Sequence, residues 1–125
     1  MKRNAALSAV ILLLVCAASS AAFAQKGTVL RVVVVKTDNP AAYAQEIEKG
    51  KQIMKTLGIQ ATTRVWQARF AGPEAGATVS SIEYPSMEAF ADAYKKTSTS
   101  PEYQAWIKDL EKIRKIVSDS LYTEW

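Results

Sequence analysis

Five charged or aromatic side chains that could form a binding site lie on two neighbouring strands predicted for the middle of the chain. They are Arg64, Trp66, Arg69, Glu83 and Tyr84. A glutamate beside an arginine can hold a polar or anionic ligand, or it can act as a base while the arginine stabilises developing negative charge. Trp66 would supply an apolar wall, and Tyr84 would offer a phenolic proton. We take these residues as the candidate ligand-binding site.

The register between the two strands decides which arginine lies near Glu83. The segment AGPEAGA, at 71–77, predicts a hairpin turn between them. A five-residue loop places Val65 opposite Glu83, whereas a bulge that shifts the pairing by one residue places Arg64 there. The structural alternative is an ordinary cross-strand ion pair, worth about 0.2 to 1 kcal/mol. The sequence leaves the register and this alternative open.

Two absences limit the chemistry of any site. Histidine does not occur, and Cys16 is the only cysteine. The usual zinc ligand set, the Ser-His-Asp and Cys-His arrangements and a proximal haem histidine are therefore excluded. We predict no metal and no cofactor. Catalysis would have to rest on Glu, Asp, Tyr, Lys, Arg or Ser.

The N-terminus has the pattern of a secretory signal peptide. Lys2 and Arg3 precede an apolar stretch of about 15 residues, which ends in Ala22-Phe23-Ala24. The alternative, an uncleaved membrane anchor, needs about 20 apolar residues. We predict residues 1–24 as the signal, cleavage between Ala24 and Gln25, and one domain over 25–125. A periplasmic or secreted location follows, with no membrane attachment after cleavage.

The charge balance argues against nucleic acid as a partner. The full chain has 16 Lys and Arg against 12 Asp and Glu. Cleavage would remove Lys2 and Arg3, so the excess falls to about +2. A nucleic-acid-binding domain of this size carries a larger basic excess, clustered on one face.

Hydrophobic periodicity and breaker residues predict the order β-α-β-β-α-β. A β-branched run precedes Asn39-Pro40, which caps and begins a helix, and Ser86 and Ser100-Pro101 begin two further helical segments. Gly50 lies inside the first helix and predicts close packing against the sheet. Four tyrosines could offer phenolic protons to a bound small molecule, but their spacing is more typical of core residues with solvated tips; these are Tyr43, Tyr84, Tyr94 and Tyr103. Strands are predicted over 28–36, 59–70, 77–84 and 116–125.

This order predicts an α+β, ferredoxin-like domain whose antiparallel sheet has its helices on one face. The first strand is apolar on both sides: Leu30, Val32 and Val34 face one way, and Val29, Val33 and Val35 face the other. Leaving three such side chains in water forgoes about 1.5 to 3 kcal/mol each. We therefore predict a homodimer, sheet against sheet. Shielding by Arg31 and other long side chains, or a different partner on this face, are the alternatives.

The segment EYPSMEAF, at 83–90, followed by SPEYQAW, at 100–106, resembles the dimeric α/β-barrel superfamily, particularly its NIPSNAP-like and antibiotic-biosynthesis-monooxygenase-like small members. The resemblance spans nearly all of 25–125. It implies two subunits that pack their sheets into a barrel, with a pocket between sheet and helices. Family enzymes with histidine-based sites or haem ligands have no counterpart here, so no catalytic residue is carried over.

These observations lead to two functional hypotheses. The first is an exported homodimer that is non-catalytic or binds a small ligand between sheet and helices. The alternative is a cofactor-independent enzyme, of monooxygenase or isomerase type, in which Glu83 acts with Arg64 or Arg69.

Overall fold

The structure is a computed structural model that describes residues 27–125. The predicted signal peptide and its cleavage site between Ala24 and Gln25 lie outside the described residues. Four strands and three α-helices follow one another in the predicted order. They are β1 (Val29–Lys36), α1 (Pro40–Thr56), β2 (Thr62–Gln67), β3 (Thr78–Tyr84), α2 (Met87–Ser98), α3 (Pro101–Glu111) and β4 (Lys115–Thr123).

The helices begin where polar caps satisfy free backbone donors. Asn39 Oδ1 accepts a hydrogen bond from the N–H of Ala42, directly before Pro40. Ser86 and Ser100 cap α2 and α3 in the same way. Because a proline needs no hydrogen bond at the first helical position, the Ser100-Pro101 step ends one helix and begins the next.

The sheet is antiparallel with the strand order β2-β3-β1-β4. Strands β1 and β3 are therefore central, and β2 and β4 form the edges. This arrangement confirms the ferredoxin-like α+β fold. No helix in residues 27–125 is long and apolar enough to cross a membrane.

All three helices pack on one face of the sheet. Val33 and Val35 of β1 form a core cluster with Tyr43, Ile47 and Leu110 of the helices. Val29 forms a second cluster with Tyr84 and Ala93. The helices therefore cover the side of β1 that carries Val29, Val33 and Val35.

Arg31 lies in this same helix-facing row of β1, between Val29 and Val33. Its guanidinium lines a cavity together with residues of α1 and α3. Arg31 therefore lies on the side that the helices cover, and the alternative in which it shields the uncovered side of the sheet is wrong.

The other face of the sheet carries no helix in the described part of the chain, and we call it the open face. Strand pairing places Leu30 beside Tyr122, and Val34 beside Val79, which in turn pairs with Trp66. Trp66 and Tyr122 are 52% and 57% exposed. Val34 is buried, and it shares a cleft with the β2–β3 connection, whereas Leu30 and Val32 are half-buried.

Gly50 of α1 lies against Trp106 of α3. A Cβ atom at this position would overlap the indole ring of Trp106. That indole also donates a hydrogen bond from Nε1 to the carbonyl oxygen of Glu46, at 2.8 Å. The compensation for a glycine inside α1 is therefore packing against α3 and not, as the sequence predicted, against the sheet.

We expect Gly50→Ala to lower the free energy of unfolding by about 1 to 3 kcal/mol through overpacking, although alanine is the better helix former by about 1 kcal/mol. Urea unfolding measures the change. The control is the same substitution in a Trp106→Leu background, where the smaller side chain leaves room for the methyl group. A loss of equal size in both backgrounds would contradict the assigned contact.

Candidate functional site

A small cavity lies between the helix-facing side of the sheet and the helices. Its volume is about 50 Å³. Its walls combine branched apolar side chains with five polar ones, namely Arg31, Thr63, Ser80, Tyr103 and Arg114. This is the compartment in which the resemblance placed a pocket, and it is the candidate functional site.

These polar side chains come from four different elements and one connecting segment. Arg31, Thr63 and Ser80 occupy helix-facing positions of β1, β2 and β3, because alternate residues of a strand point to the same side. Tyr103 lies in the first turn of α3, and Arg114 directly precedes β4. The cavity therefore forms only when sheet and helices pack together.

Arg31 is held by Asp119 of β4 through two hydrogen bonds. Its Nε atom donates to Oδ1 at 2.9 Å, and its Nη2 atom donates to Oδ2 at 2.6 Å. The hydrogen bond from Arg31 lowers the pKa of Asp119, and the pair raises the pKa of Arg31. Both groups are thus charged at neutral pH, and the paired carboxylate is a poor base.

Two buried polar atoms at the cavity have no hydrogen-bond partner within residues 27–125. They are the hydroxyl oxygen of Thr63 and the Nε atom of Arg114. Leaving a buried polar group unpaired costs about 1 to 3 kcal/mol, and more when the group is charged. By contrast, Ser80 is partnered, because the Tyr43 hydroxyl donates to its Oγ atom at 3.2 Å. Ser80 keeps its own proton for donation.

Tyr103 presents a protonated phenol beside two cations. Burial raises the pKa of Tyr103, although the charges of Arg31 and Arg114 act in the opposite direction. The ring packs against Trp106 with a centroid distance of 5.3 Å. Tyr103 is therefore suited to donate a hydrogen bond to a bound group, not to accept a proton near neutral pH.

The residues predicted as a site from the sequence do not lie in this cavity. Glu83, Arg64 and Trp66 occupy the open face, on the far side of the sheet. Glu83 pairs with Thr62, so both registers considered from the sequence are wrong. The β2–β3 connection spans 68–77 and contains a short 3₁₀ turn, Gly72–Glu74, which makes it longer than a simple hairpin loop.

On the open face, Arg64 and Glu83 approach each other, whereas Trp66 is hydrogen-bonded to a different residue. Arg64 Nη1 lies 3.7 Å from Glu83 Oε2, and both side chains are about half exposed. The Trp66 Nε1 atom donates to the hydroxyl of Ser81 at 2.7 Å. This geometry matches the cross-strand ion pair given as the structural alternative.

Arg69 and Tyr84 lie apart from that group. Arg69 is exposed in the β2–β3 connection. Tyr84 faces the helices and is 4% exposed, with its ring edge-on to Phe90 at 5.3 Å. Burial also raises the pKa of Tyr84. The five candidate residues are therefore divided between the open face, the core and a loop.

Sequence reasoning missed Arg31 and Asp119 as a site pair. The available indication was strand parity: Arg31 is the only charged residue in the helix-facing row of β1. Thr63, Ser80 and Arg114 carried no comparable indication. The described residues contain no group of three or more Cys, Asp or Glu side chains that could hold a metal ion.

Comparison with known proteins supports the fold. No family model matches this chain, and no curated protein matches it. Among solved structures, SnoaB, a cofactor-independent oxygenase from Streptomyces nogalater, aligns with a TM-score of 0.59 at 13% identity, over 79% of this chain and 94% of that one.

Two further solved structures are similar. An uncharacterized NIPSNAP-like domain protein from Burkholderia xenovorans aligns with a TM-score of 0.61 at 14% identity, over 82% of this chain and 85% of that one. A putative antibiotic biosynthesis monooxygenase from Bordetella bronchiseptica aligns with a TM-score of 0.53 at 8% identity, over 80% and 97%. These likenesses confirm, at the level of fold, the resemblance drawn from the sequence.

The Arg31–Asp119 pair predicts a pH dependence of stability. Folding lowers the pKa of Asp119, so the stability it contributes is present above the unfolded pKa, near about 4, and is lost as pH falls through the lower folded value. Because both side chains are about one-third exposed, we expect Asp119→Asn to cost about 1 kcal/mol or less at pH 6.

The measurement is the urea midpoint of wild type and variant between pH 3 and pH 6. The two curves should converge towards the acid end. Asp109→Asn, which removes a carboxylate from an exposed helix pair with Lys112, is the matched control for the lost charge. A difference between wild type and Asp119→Asn that stays constant over the whole range would contradict the assigned pair.

Proposed function

We propose that this protein is an exported homodimer that binds a small anionic ligand in the cavity between its sheet and its helices. The observation that carries the proposal is the pair of unpartnered buried atoms at the cavity, Thr63 Oγ1 and Arg114 Nε. A bound anion would accept from both groups and would replace two unfavourable contacts with two favourable ones.

The charges around the cavity favour a negative ligand. Asp119 neutralises Arg31, whereas Arg114 makes no ion pair within the described part of the chain. One positive charge is thus left uncompensated beside the phenol of Tyr103 and the hydroxyl of Thr63. These groups are all able to donate hydrogen bonds to an oxyanion.

The size of the cavity restricts the ligand. Sites for drug-sized molecules usually occupy about 300 to 1,000 Å³, and this cavity holds about 50 Å³. The ligand is therefore of the size of formate, acetate, nitrate or bicarbonate. Each of these carries oxygen atoms that a guanidinium binds well.

The homodimer is supported by the open face. Leu30 and Val32 are half-buried there, and the exposed aromatic rings of Trp66 and Tyr122 flank them. A second copy related by a two-fold axis would cover this apolar stripe with an identical one. In that arrangement Glu83, Arg64 and Trp66 would lie inside the barrel, where they stay candidates for a second, inter-subunit site.

The proposal that the protein is exported rests on the signal-peptide pattern of residues 1–24.

A cofactor-independent enzyme is the second candidate, and two observations favour it. The fold is shared with a cofactor-independent oxygenase, and a fixed guanidinium stands beside a protonated phenol in the cavity. Such donors stabilise an oxyanion that develops during a reaction. In this version Arg31 and Tyr103 act, because Glu83 lies on the open face. The cavity would have to widen to admit an organic substrate.

We expect the purified protein to sediment at twice the mass of its subunit. Tyr122→Lys should weaken the dimer about a hundredfold or more, because it places an unpaired charge in the interface. Tyr122 is 57% exposed in one subunit, so the variant should fold. Ala91→Lys on the exposed side of α2 is the control and should remain dimeric. Sedimentation of wild type as a monomer would refute the dimer.

For the ligand, the test is a thermal-shift screen of formate, acetate, nitrate and bicarbonate at constant ionic strength. Without ligand, Thr63→Val should raise the free energy of unfolding by about 1 kcal/mol, because it removes an unpartnered hydroxyl and keeps the shape. The same variant should lose the ligand-induced shift. Thr62→Val, at the exposed neighbouring position, is the control and should behave like wild type.

Two results would count against the binding site. One is the absence of any shift with all four anions on wild type. The other is a Thr63→Val variant that is less stable than wild type, which would mean that the hydroxyl has a partner in the folded protein.

A further inference from the structure

A second and larger cleft lies outside the cavity, where β1 ends and β4 begins. It has a volume of about 480 Å³, and its lining carries four cationic side chains and one acidic side chain. The cations are Lys36, Lys112, Arg114 and Lys115, and the acid is Asp38. We infer that this basic cleft binds a small oxyanion with two or more negative charges.

The strand register provides the main argument. Lys36, the last residue of β1, is paired directly with Lys115, the first residue of β4. Like charges directly opposite each other on neighbouring strands are destabilising. A bound anion between the two ammonium groups would turn this repulsion into two attractive contacts.

The protein itself does not neutralise the basic cleft. Within residues 27–125, Lys36, Arg114 and Lys115 take part in no ion pair. Lys112 pairs with Asp109 at 3.0 Å, but both groups are exposed on the surface. Asp119 is already engaged by two hydrogen bonds from Arg31. The lining therefore keeps a surplus of positive charge.

The shape and chemistry of the basic cleft fit an oxyanion larger than the one proposed for the cavity. Its volume lies within the range of about 300 to 1,000 Å³ that is usual for small-molecule sites. Lysines bind phosphate as point charges, and an arginine can form paired hydrogen bonds with phosphate or carboxylate. Asn39, the N-cap of α1, also lines the cleft, so the positive end of that helix dipole adds to the field.

The test uses the protein expressed from its full sequence and two probes, pyrophosphate and citrate, at constant ionic strength. Isothermal titration calorimetry gives the dissociation constants. Lys36→Gln and Lys115→Gln should each weaken binding about tenfold, as expected for the loss of one charged contact. The matched control is Lys55→Gln with Lys95→Gln, which removes two exposed charges at the ends of α1 and α2.

Stability distinguishes a ligand role from a structural role of the two lysines. Without anion, each single variant should have a slightly higher urea midpoint than wild type, because it removes the like-charge pair. Pyrophosphate should raise the midpoint of wild type and leave that of a variant with both Lys36→Gln and Lys115→Gln unchanged. Tighter binding of pyrophosphate than citrate would assign the site to phosphate compounds, and the reverse order would assign it to polycarboxylates.

Three results would overturn the inference: no binding of either probe to wild type, an equal loss of affinity in the control, or a lower midpoint for both single variants without anion. Arg114 lines both the basic cleft and the inner cavity, so the two sites are distinguished by variants that touch only one of them. Thr63→Val alters the inner cavity alone and should leave pyrophosphate binding unchanged, so failure of one site does not imply failure of the other.

Discussion

The central strand β1 is apolar on both faces, and the helices of the same chain cover only one of them. On the covered side, Val33 and Val35 pack against Tyr43 and Leu110, and each fully buried side chain contributes about 1.5 to 3 kcal/mol. This packing fixes which residues of every strand point towards the helices. It thereby determines the polar lining of the cavity and the composition of the open face.

Arg31 is the exception within the covered row, and the polar interior follows from it. A guanidinium among valines is tolerable only when it is paired. Asp119 supplies that pair from the neighbouring strand β4, with two hydrogen bonds. Side chains around the pair cannot pack as closely as an all-apolar core, and a small polar cavity remains between Arg31, Tyr103 and Arg114.

The fold could be predicted from the sequence because helix starts and strand faces depend on residues close together in the chain. Asn39-Pro40 and Ser100-Pro101 begin helices through contacts within one turn, and the alternation along β1 assigns its faces. The site depends on contacts between distant segments. The pairing of Glu83 with Thr62 follows from a connection that folds on itself, and the unpartnered state of Thr63 depends on the helix packed above it.

Several features of the described residues reduce the stability of the free protein. They lie around two neighbouring spaces that share the residue Arg114. Thr63 Oγ1 and Arg114 Nε are buried without a partner, and Lys36 stands opposite Lys115. Arg114 lines both the inner cavity and the basic cleft. A domain of this size has few kcal/mol to spare, and this cost is the physical basis of the two proposed anion sites. Because Arg114 lines both places, an anion bound at one proposed site would change the charge available at the other.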